Sequence, residues 1–151
     1  MLATANQRKT SPEWVWDVFV MSMCTYGGSA NYELKKKSLG HLFSWSSVTN
    51  MSEATRDDFF QKLPNPRRRK LASQALEDTY KRILIAGGPT ALAETYDRSA
   101  NAEEKIRFWK TFKGIGDKYA RNIPMDIGDK SFSDYIALDS RLHDIIDRIE
   151  E

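Results

Sequence analysis

The sequence predicts an all-α fold, a compact bundle of about eight helices, on three observations. Apolar residues recur three and four positions apart along most of the chain, which is the period of one helix face. Capping residues and glycines mark the ends of these segments. No segment shows the strict apolar–polar alternation of a half-buried strand. The 151 residues fit a single helical domain spanning positions 1–151.

The amino-terminal half contains four predicted helices. Ser11 is the expected N-cap of the first, and Pro12 takes its first position. Ser52 gives the capping signal of the third. The fourth is the longest, and it begins at Pro66 and ends at Gly87. The predicted ranges are 11–26, about 31–43, 52–63 and 66–87, and the apolar stripe of the fourth helix consists of Ala72, Leu76, Tyr80 and Ile83.

The carboxyl-terminal half contains four shorter predicted helices. The second of them has Ile106, Trp109 and Phe112 on one face, with acidic residues in its first turn. Pro124 is expected to interrupt the third early, because proline lacks the backbone donor that a helix interior requires. The predicted ranges are 89–96, 102–112, 117–123 and 139–151.

Charge and cysteine content restrict the class of protein. The formal net charge is only +2, so an anionic partner would have to meet local basic patches. Two basic runs, at 35–37 and 67–70, offer such patches, although runs of this kind usually form a solvated face. With Cys24 alone and two histidines, we expect no disulfide and no metal site. No signal peptide or spanning run is recognisable, so we expect an intracellular protein that contacts no membrane. We also expect a monomer.

The segment "TFKGIGDKYA", residues 111–120, predicts a tight turn between two helices. Gly114 and Gly116 permit positive φ and carry no side chain, so the backbone can turn sharply and approach a ligand closely. The unpaired N–H groups of the following helix would face outward at this turn, where they can bind a phosphate. Lys113, Lys118 and Arg121 would surround that position with positive charge. A plain helix–helix corner with glycine caps is the alternative.

Further along, Asp139 lies in "IALDSRLHDII", 21 residues after Lys118. The glycine turn followed by this aspartate resembles the helix-hairpin-helix DNA glycosylase superfamily, in particular its endonuclease III-like branch. The resemblance spans about Trp14 to Ile149, with the helix-hairpin-helix at about 103–124 and short or absent terminal extensions. It implies a protein that grips the DNA backbone through residues 113–116 without reading sequence, and that excises bases from damaged double-stranded DNA.

By this resemblance Lys118 is the nucleophile and Asp139 assists it. A neutral lysine amine can attack C1′ of the sugar and form a Schiff base, and a carboxylate can stabilise positive charge on the sugar or accept a proton. The target nucleotide must leave the base stack to reach these groups. Each residue also has a simpler interpretation, since Lys118 could hold a phosphate and Asp139 could cap a helix.

The resemblance implies further contacts. Lys113, Gly114, Ile115, Gly116 and Arg121 would contact DNA at the hairpin, and Arg141 would meet a phosphate. The loop after the first helix would hold a base wedge, either Tyr26 or Asn31, unless it is only structural. The chain lacks the cysteines of an iron–sulfur cluster, so no cofactor is expected.

Three functions remain open from the sequence. The first is a DNA glycosylase with abasic-site lyase activity. The second is a non-catalytic helix-hairpin-helix module that holds the phosphate backbone. The third is a helical protein-interaction domain that binds no nucleic acid.

Overall fold

Helices form the regular structure of residues 11–25, 40–62 and 68–135, the ranges that the computed structural model describes. Within these ranges lie seven α-helices and two 3-10 turns, and no strand. The all-α prediction is confirmed. The α-helices are α1 (Trp14–Thr25), α2 (Trp45–Thr49), α3 (Glu53–Gln61), α4 (Arg69–Ala86), α5 (Pro89–Asp97), α6 (Ala102–Lys110) and α7 (Asp117–Asp126), and the 3-10 turns are Gly40–Phe43 and Lys130–Phe132.

Helix α1 lies in the core, because most of its circumference is apolar. The Oγ of Ser11 accepts the backbone N–H of Glu13 at 3.2 Å, in the turn that precedes the helix. The helix begins at Trp14 and not, as predicted, at Pro12. The Nε1 of Trp16 donates to the carbonyl of Phe43 at 2.6 Å, which fastens the 3-10 turn to α1. The buried residues of α1 are Trp14, Val15, Trp16, Val18, Phe19, Val20, Ser22, Met23 and Cys24.

Two serine-capped helices follow the 3-10 turn. The predicted cap at Ser52 is confirmed, since its side chain accepts the N–H of Thr55. Helix α2, capped by Ser44, was not predicted, because its five residues lack a recognisable stripe. It is held by the contact of Trp45 with Trp16, whose ring centroids are 5.5 Å apart. Of the helix predicted at about 31–43, the described residues form only the 3-10 turn.

Helix α4 is the longest, and its predicted apolar stripe is buried. Gly87 ends it in the left-handed conformation at φ 98°, and the N–H of Gly88 bonds the carbonyl of Ile83. The predicted start at Pro66 is wrong, because α4 begins at Arg69 and its N-cap, Arg68, has a non-helical backbone conformation. Pro66 itself lies outside the described residues. Across from α4, the guanidinium of Arg56 on α3 lies 4.0 Å from the centroid of the Tyr80 ring.

The expectation that Pro124 would end α7 early is wrong. The helix continues through Pro124 to Asp126, and the proline ring is buried. Pro124 lies in the last turn, where its missing N–H costs the helix one hydrogen bond. The bonds that follow are kept, since the N–H of Ile127 donates to the carbonyl of Ile123 and the N–H of Asp129 donates to the carbonyl of Pro124. The extra turn carries the chain to Asp129, which the site described below uses.

Aromatic contacts join the helices into one core. The ring of Trp14 on α1 lies 5.4 Å from that of Tyr96 on α5 and 6.2 Å from that of Trp109 on α6. Trp16 contacts Tyr80 of α4 at 6.4 Å. Helix α1 therefore packs against α4, α5 and α6. Among the described helices, none is long and apolar enough to cross a membrane.

Candidate nucleic-acid interface

Helices α6 and α7 are joined by a turn that follows the glycine pattern of the sequence. Asn101 caps α6 by accepting the N–H of Glu104 at 3.0 Å, and α6 ends at Lys110. The chain then reverses through Gly114, whose φ is +86°, and α7 begins at Asp117. The N–H of Ile115 bonds the carbonyl of Phe112 at 3.1 Å and closes the turn. Positive φ at Gly114 is thus the backbone feature that makes the hairpin.

The inner side of the turn is packed against two other helices. A Cβ on Gly114 would lie 3.2 Å from Cβ of Ala75 on α4 and 3.3 Å from Sδ of Met23 on α1. Ile115 is 6% exposed, so its side chain belongs to the core and its backbone is the part left for a ligand. Ala120 and Ile123 of α7 are buried as well. The inner side of the turn is therefore held by packing against α1 and α4.

The outer side of the turn is open. Gly116 is the N-cap of α7, it is exposed, and no atom lies within 4 Å of where its Cβ would stand. It has an ordinary φ of −93° and offers no side chain to the first N–H groups of the helix. The first N–H groups of an α-helix have no acceptor within the helix. Gly114 therefore shapes the turn and Gly116 keeps its outer face clear.

The predicted cations lie around this open end. Lys113 is in the turn and Lys118 is the second residue of α7, and both side chains are exposed. Arg121 follows three residues later and is half-buried. Residues three apart share a helix face, so Lys118 and Arg121 lie on the same side of α7. The arrangement can bind an anion by charge.

An ion pair joins α6 and α7 across the turn, and the sequence analysis did not predict it. Nζ of Lys110, the last residue of α6, lies 2.7 Å from Oδ1 of Asp117, the first residue of α7. The hydrogen bond and the charge of Lys110, with a smaller contribution from Arg121, hold the pKa of Asp117 below its usual value. Both side chains are largely exposed. A phosphate approaching α7 would thus meet a carboxylate that is already paired.

The opposite end of the hairpin is fastened by a buried ion pair. Nζ of Lys105 on α6 lies 2.9 and 3.0 Å from the two carboxylate oxygens of Asp129, three residues after α7. The hydroxyl of Tyr96 on α5 donates to the same carboxylate at 2.7 Å. Ser131 donates its backbone N–H to Asp129 and accepts from Lys105. Lys105 and Asp129 are 9% and 8% exposed.

This network sets the protonation of its members. Burial alone would raise the pKa of Asp129, but hydrogen bonds from Lys105, Tyr96 and Ser131 outweigh it and lower the pKa to about 2. Burial, together with the hydrogen bond and charge of Asp129, raises the pKa of Tyr96 above its usual range. Lys105 is committed to this ion pair, so the amine available at the hairpin surface is that of Lys118 or Lys113.

Four of the predicted site residues lie outside the described residues: Asp139, Arg141, Tyr26 and Asn31. The described part of the candidate interface is thus the hairpin with Lys113, Lys118 and Arg121. Within the described ranges, no group of three or more histidine, cysteine, aspartate or glutamate side chains is placed to hold a metal ion.

A separate groove of about 640 Å³ lies between α3 and α4. Its residues belong to those two helices and their ends, and none belongs to the hairpin. Part of the second basic run, Arg69 and Lys70, opens onto it, and Lys62 of this groove lies beside Asp58. The lining residues are Asp58, Gln61, Lys62, Arg69, Lys70, Ser73 and Gln74.

A scan against protein-family models finds no match, and searches of curated proteins and of solved structures find no significant similarity.

Proposed function

We propose that this protein is a DNA glycosylase with abasic-site lyase activity, and that Lys118 is its nucleophile. One observation carries the proposal: the glycine turn holds Lys118 exposed in the first turn of α7, beside the open backbone at Gly116. A DNA strand whose phosphate contacted that backbone would lie next to the Lys118 amine. The resemblance of the turn and of the segment around Asp139 to endonuclease III-like glycosylases supports the same activity.

The chemistry is covalent catalysis by an amine. The neutral amine of Lys118 attacks C1′ of the flipped nucleotide, the glycosidic bond breaks, and the base leaves with the bonding electrons and takes up a proton. Opening of the sugar ring gives a Schiff base between Lys118 and C1′. Loss of a proton from C2′ then expels the 3′ phosphate and nicks the strand, and water releases the lysine. Asp139 would stabilise the positive charge on the sugar or accept a proton.

Borohydride trapping tests this proposal. The wild-type protein, incubated with duplex DNA that contains one abasic site, is expected to form a covalent adduct when borohydride reduces the Schiff base. Lys118→Ala should form none, while Lys113→Ala, which removes a neighbouring exposed cation, should still form it. Absence of adduct from the wild type, or equal trapping by Lys118→Ala, would contradict the lyase proposal. Thermal melting of both variants checks that they fold.

Exposure of Lys118 favours a second candidate, a non-catalytic clamp on the DNA backbone. In this role Lys113, Lys118 and Arg121 contact phosphates, and no covalent step occurs. The clamp predicts that binding of intact duplex weakens with salt, with log K falling by about 0.9 per phosphate contact for each log unit of salt. Asp139→Asn would leave binding unchanged, and no adduct would form with abasic DNA.

A further inference from the structure

A guanidinium from another helix lies directly beside the glycine turn. The Cζ of Arg82 on α4 lies 4.0 Å from the centroid of the Phe112 ring. Phe112 is 2% exposed and immediately precedes Lys113 in the turn. The contact therefore brings a cation of α4, 30 residues earlier in the chain, to the base of the hairpin.

Helix α4 passes beneath the turn along one of its faces. Ala75 lies close to Gly114, since a Cβ there would be 3.2 Å from the Ala75 Cβ. Arg82 is seven residues further along, which is about two turns and about 10 Å on the same face of the helix. Ala75 thus supports one end of the turn and Arg82 the other. Arg82 therefore meets the hairpin at Phe112, the residue that precedes Lys113 in the chain.

The geometry of the Arg82 contact leaves hydrogen-bond donors for a ligand. A guanidinium stacked on an aromatic ring uses its face, while its N–H donors point outward in its own plane. Arg82 is half-buried, and burial lowers its pKa while the charge of Asp78, one turn earlier, opposes this shift. Among the described residues Arg82 forms no ion pair, whereas the neighbouring Lys81 pairs with Glu77 at 3.2 Å.

We propose that Arg82 binds a phosphate of the DNA strand held by the turn, so that the phosphate-binding surface extends from the hairpin onto α4. The inference rests on the proposed function, because it requires that the hairpin hold DNA. A guanidinium fork suits a phosphate because two N–H groups can meet two oxygens. The competing role of Arg82 is structural, as an apolar stem and a cation that cover the edge of Phe112.

The salt dependence of DNA binding separates these roles. We would measure binding of a duplex oligonucleotide over a salt series for the wild type, Arg82→Met, Lys81→Met and Lys113→Met. Methionine can still cover Phe112 but carries no charge, and Lys81→Met removes one charge from the adjacent position of α4. For Arg82→Met and Lys113→Met, the slope of log K against log salt should fall in magnitude by about 0.9 each. Lys81→Met should keep the wild-type slope.

Each outcome has a distinct meaning. A wild-type slope for Arg82→Met together with a reduced slope for Lys113→Met would overturn the role of Arg82 and leave the hairpin as the DNA contact. Unchanged slopes for both would contradict DNA binding by the hairpin and with it the proposed function. Equal reductions for Arg82→Met and Lys81→Met would mean that only net charge matters, which also overturns the inference. If Arg82→Met fails to fold, Arg82→Gln, whose planar amide can cover the ring without charge, is judged by the same slopes.

Discussion

Asp129 is the residue on which three separate parts of the chain converge. Its carboxylate accepts hydrogen bonds from Tyr96 on α5, from Lys105 on α6 and from the backbone of Ser131. Burying a carboxylate is costly unless such partners replace water. The members of the network therefore depend on one another, and the loss of either Lys105 or Asp129 leaves the opposite charge buried without its counter-ion.

At the residue scale, Lys105→Met is expected to lower the free energy of unfolding by about 3–5 kcal/mol, because it leaves Asp129 buried without its cation. The double variant Lys105→Met with Asp129→Asn should recover part of this loss, since the uncompensated charge is gone and the amide oxygen can still accept from Tyr96. Urea denaturation measures both. A double variant whose loss equals the sum of the two single losses would show that the residues do not act as a pair.

The hairpin is the element that connects the fold to the proposed function. Its two glycines have different tasks. Gly114 has positive φ and faces the side chains of Ala75 and Met23, while Gly116 has ordinary φ and faces open space. One glycine is required by packing, and the other is placed where a ligand backbone can approach.

At the element scale, Gly114→Ala is expected to lower the free energy of unfolding by about 2–3 kcal/mol, from the strained φ and from overpacking against Ala75. Gly116→Ala is its matched partner. It should cost about 1 kcal/mol or less, because alanine is only a poorer N-cap than glycine, but it should weaken DNA binding by adding a methyl group to the outer face. Thermal melting and duplex binding are the measurements. A destabilisation by Gly116→Ala as large as that by Gly114→Ala would refute this division of tasks.

At the scale of the whole molecule, the free energy of unfolding in acid depends on the Asp129 carboxylate, which joins the segment after α7 to α5 and α6. The pKa of Asp129 in the folded protein, about 2, lies below the 3.8 of an unperturbed aspartate side chain. Its contribution is therefore complete above about pH 4 and is lost as the pH falls toward 2. The difference corresponds to about 2 kcal/mol.

The gap in unfolding free energy between the wild type and Asp129→Asn should therefore shrink by about 2 kcal/mol between pH 5 and pH 2. Tyr96→Phe should move the loss of stability to higher pH, because it removes one donor that holds the pKa of Asp129 down. Urea denaturation across this pH range checks both. A gap that stays constant with pH would mean that the Asp129 carboxylate gains nothing from its partners.

The sequence predicted the features that depend on neighbouring residues. Ser52 caps α3, Gly87 ends α4, and Gly114 turns the chain between α6 and α7, all through local backbone geometry. The apolar stripe of α4 follows from helical periodicity alone. Lys118 at the exit of the turn could likewise be found from its position after the glycines.

Long-range partners could not be predicted in this way. Lys105 and Asp129 are 24 residues apart, and Tyr96 and Asp129 are 33 apart. Nothing in the local sequence distinguishes Lys105 from the exposed charges around it on α6. The position of Arg82 beside the turn could not be predicted either, because only its contact with Phe112 connects it to the turn. The Lys110–Asp117 pair joins two different helices across the turn, so it is not one of the pairs three or four residues apart that can be recognised within a single helix.

Interactions within a few residues suffice for the helical class, the caps, the glycine turn and the lysine beside it, so these features follow from local sequence. Tertiary packing carries α7 through Pro124, buries Asp129 against Lys105 and Tyr96, and brings Arg82 to Phe112 at the hairpin. These depend on which helices pack together. Packing sums many weak contacts between distant parts of the chain, so no single segment encodes it.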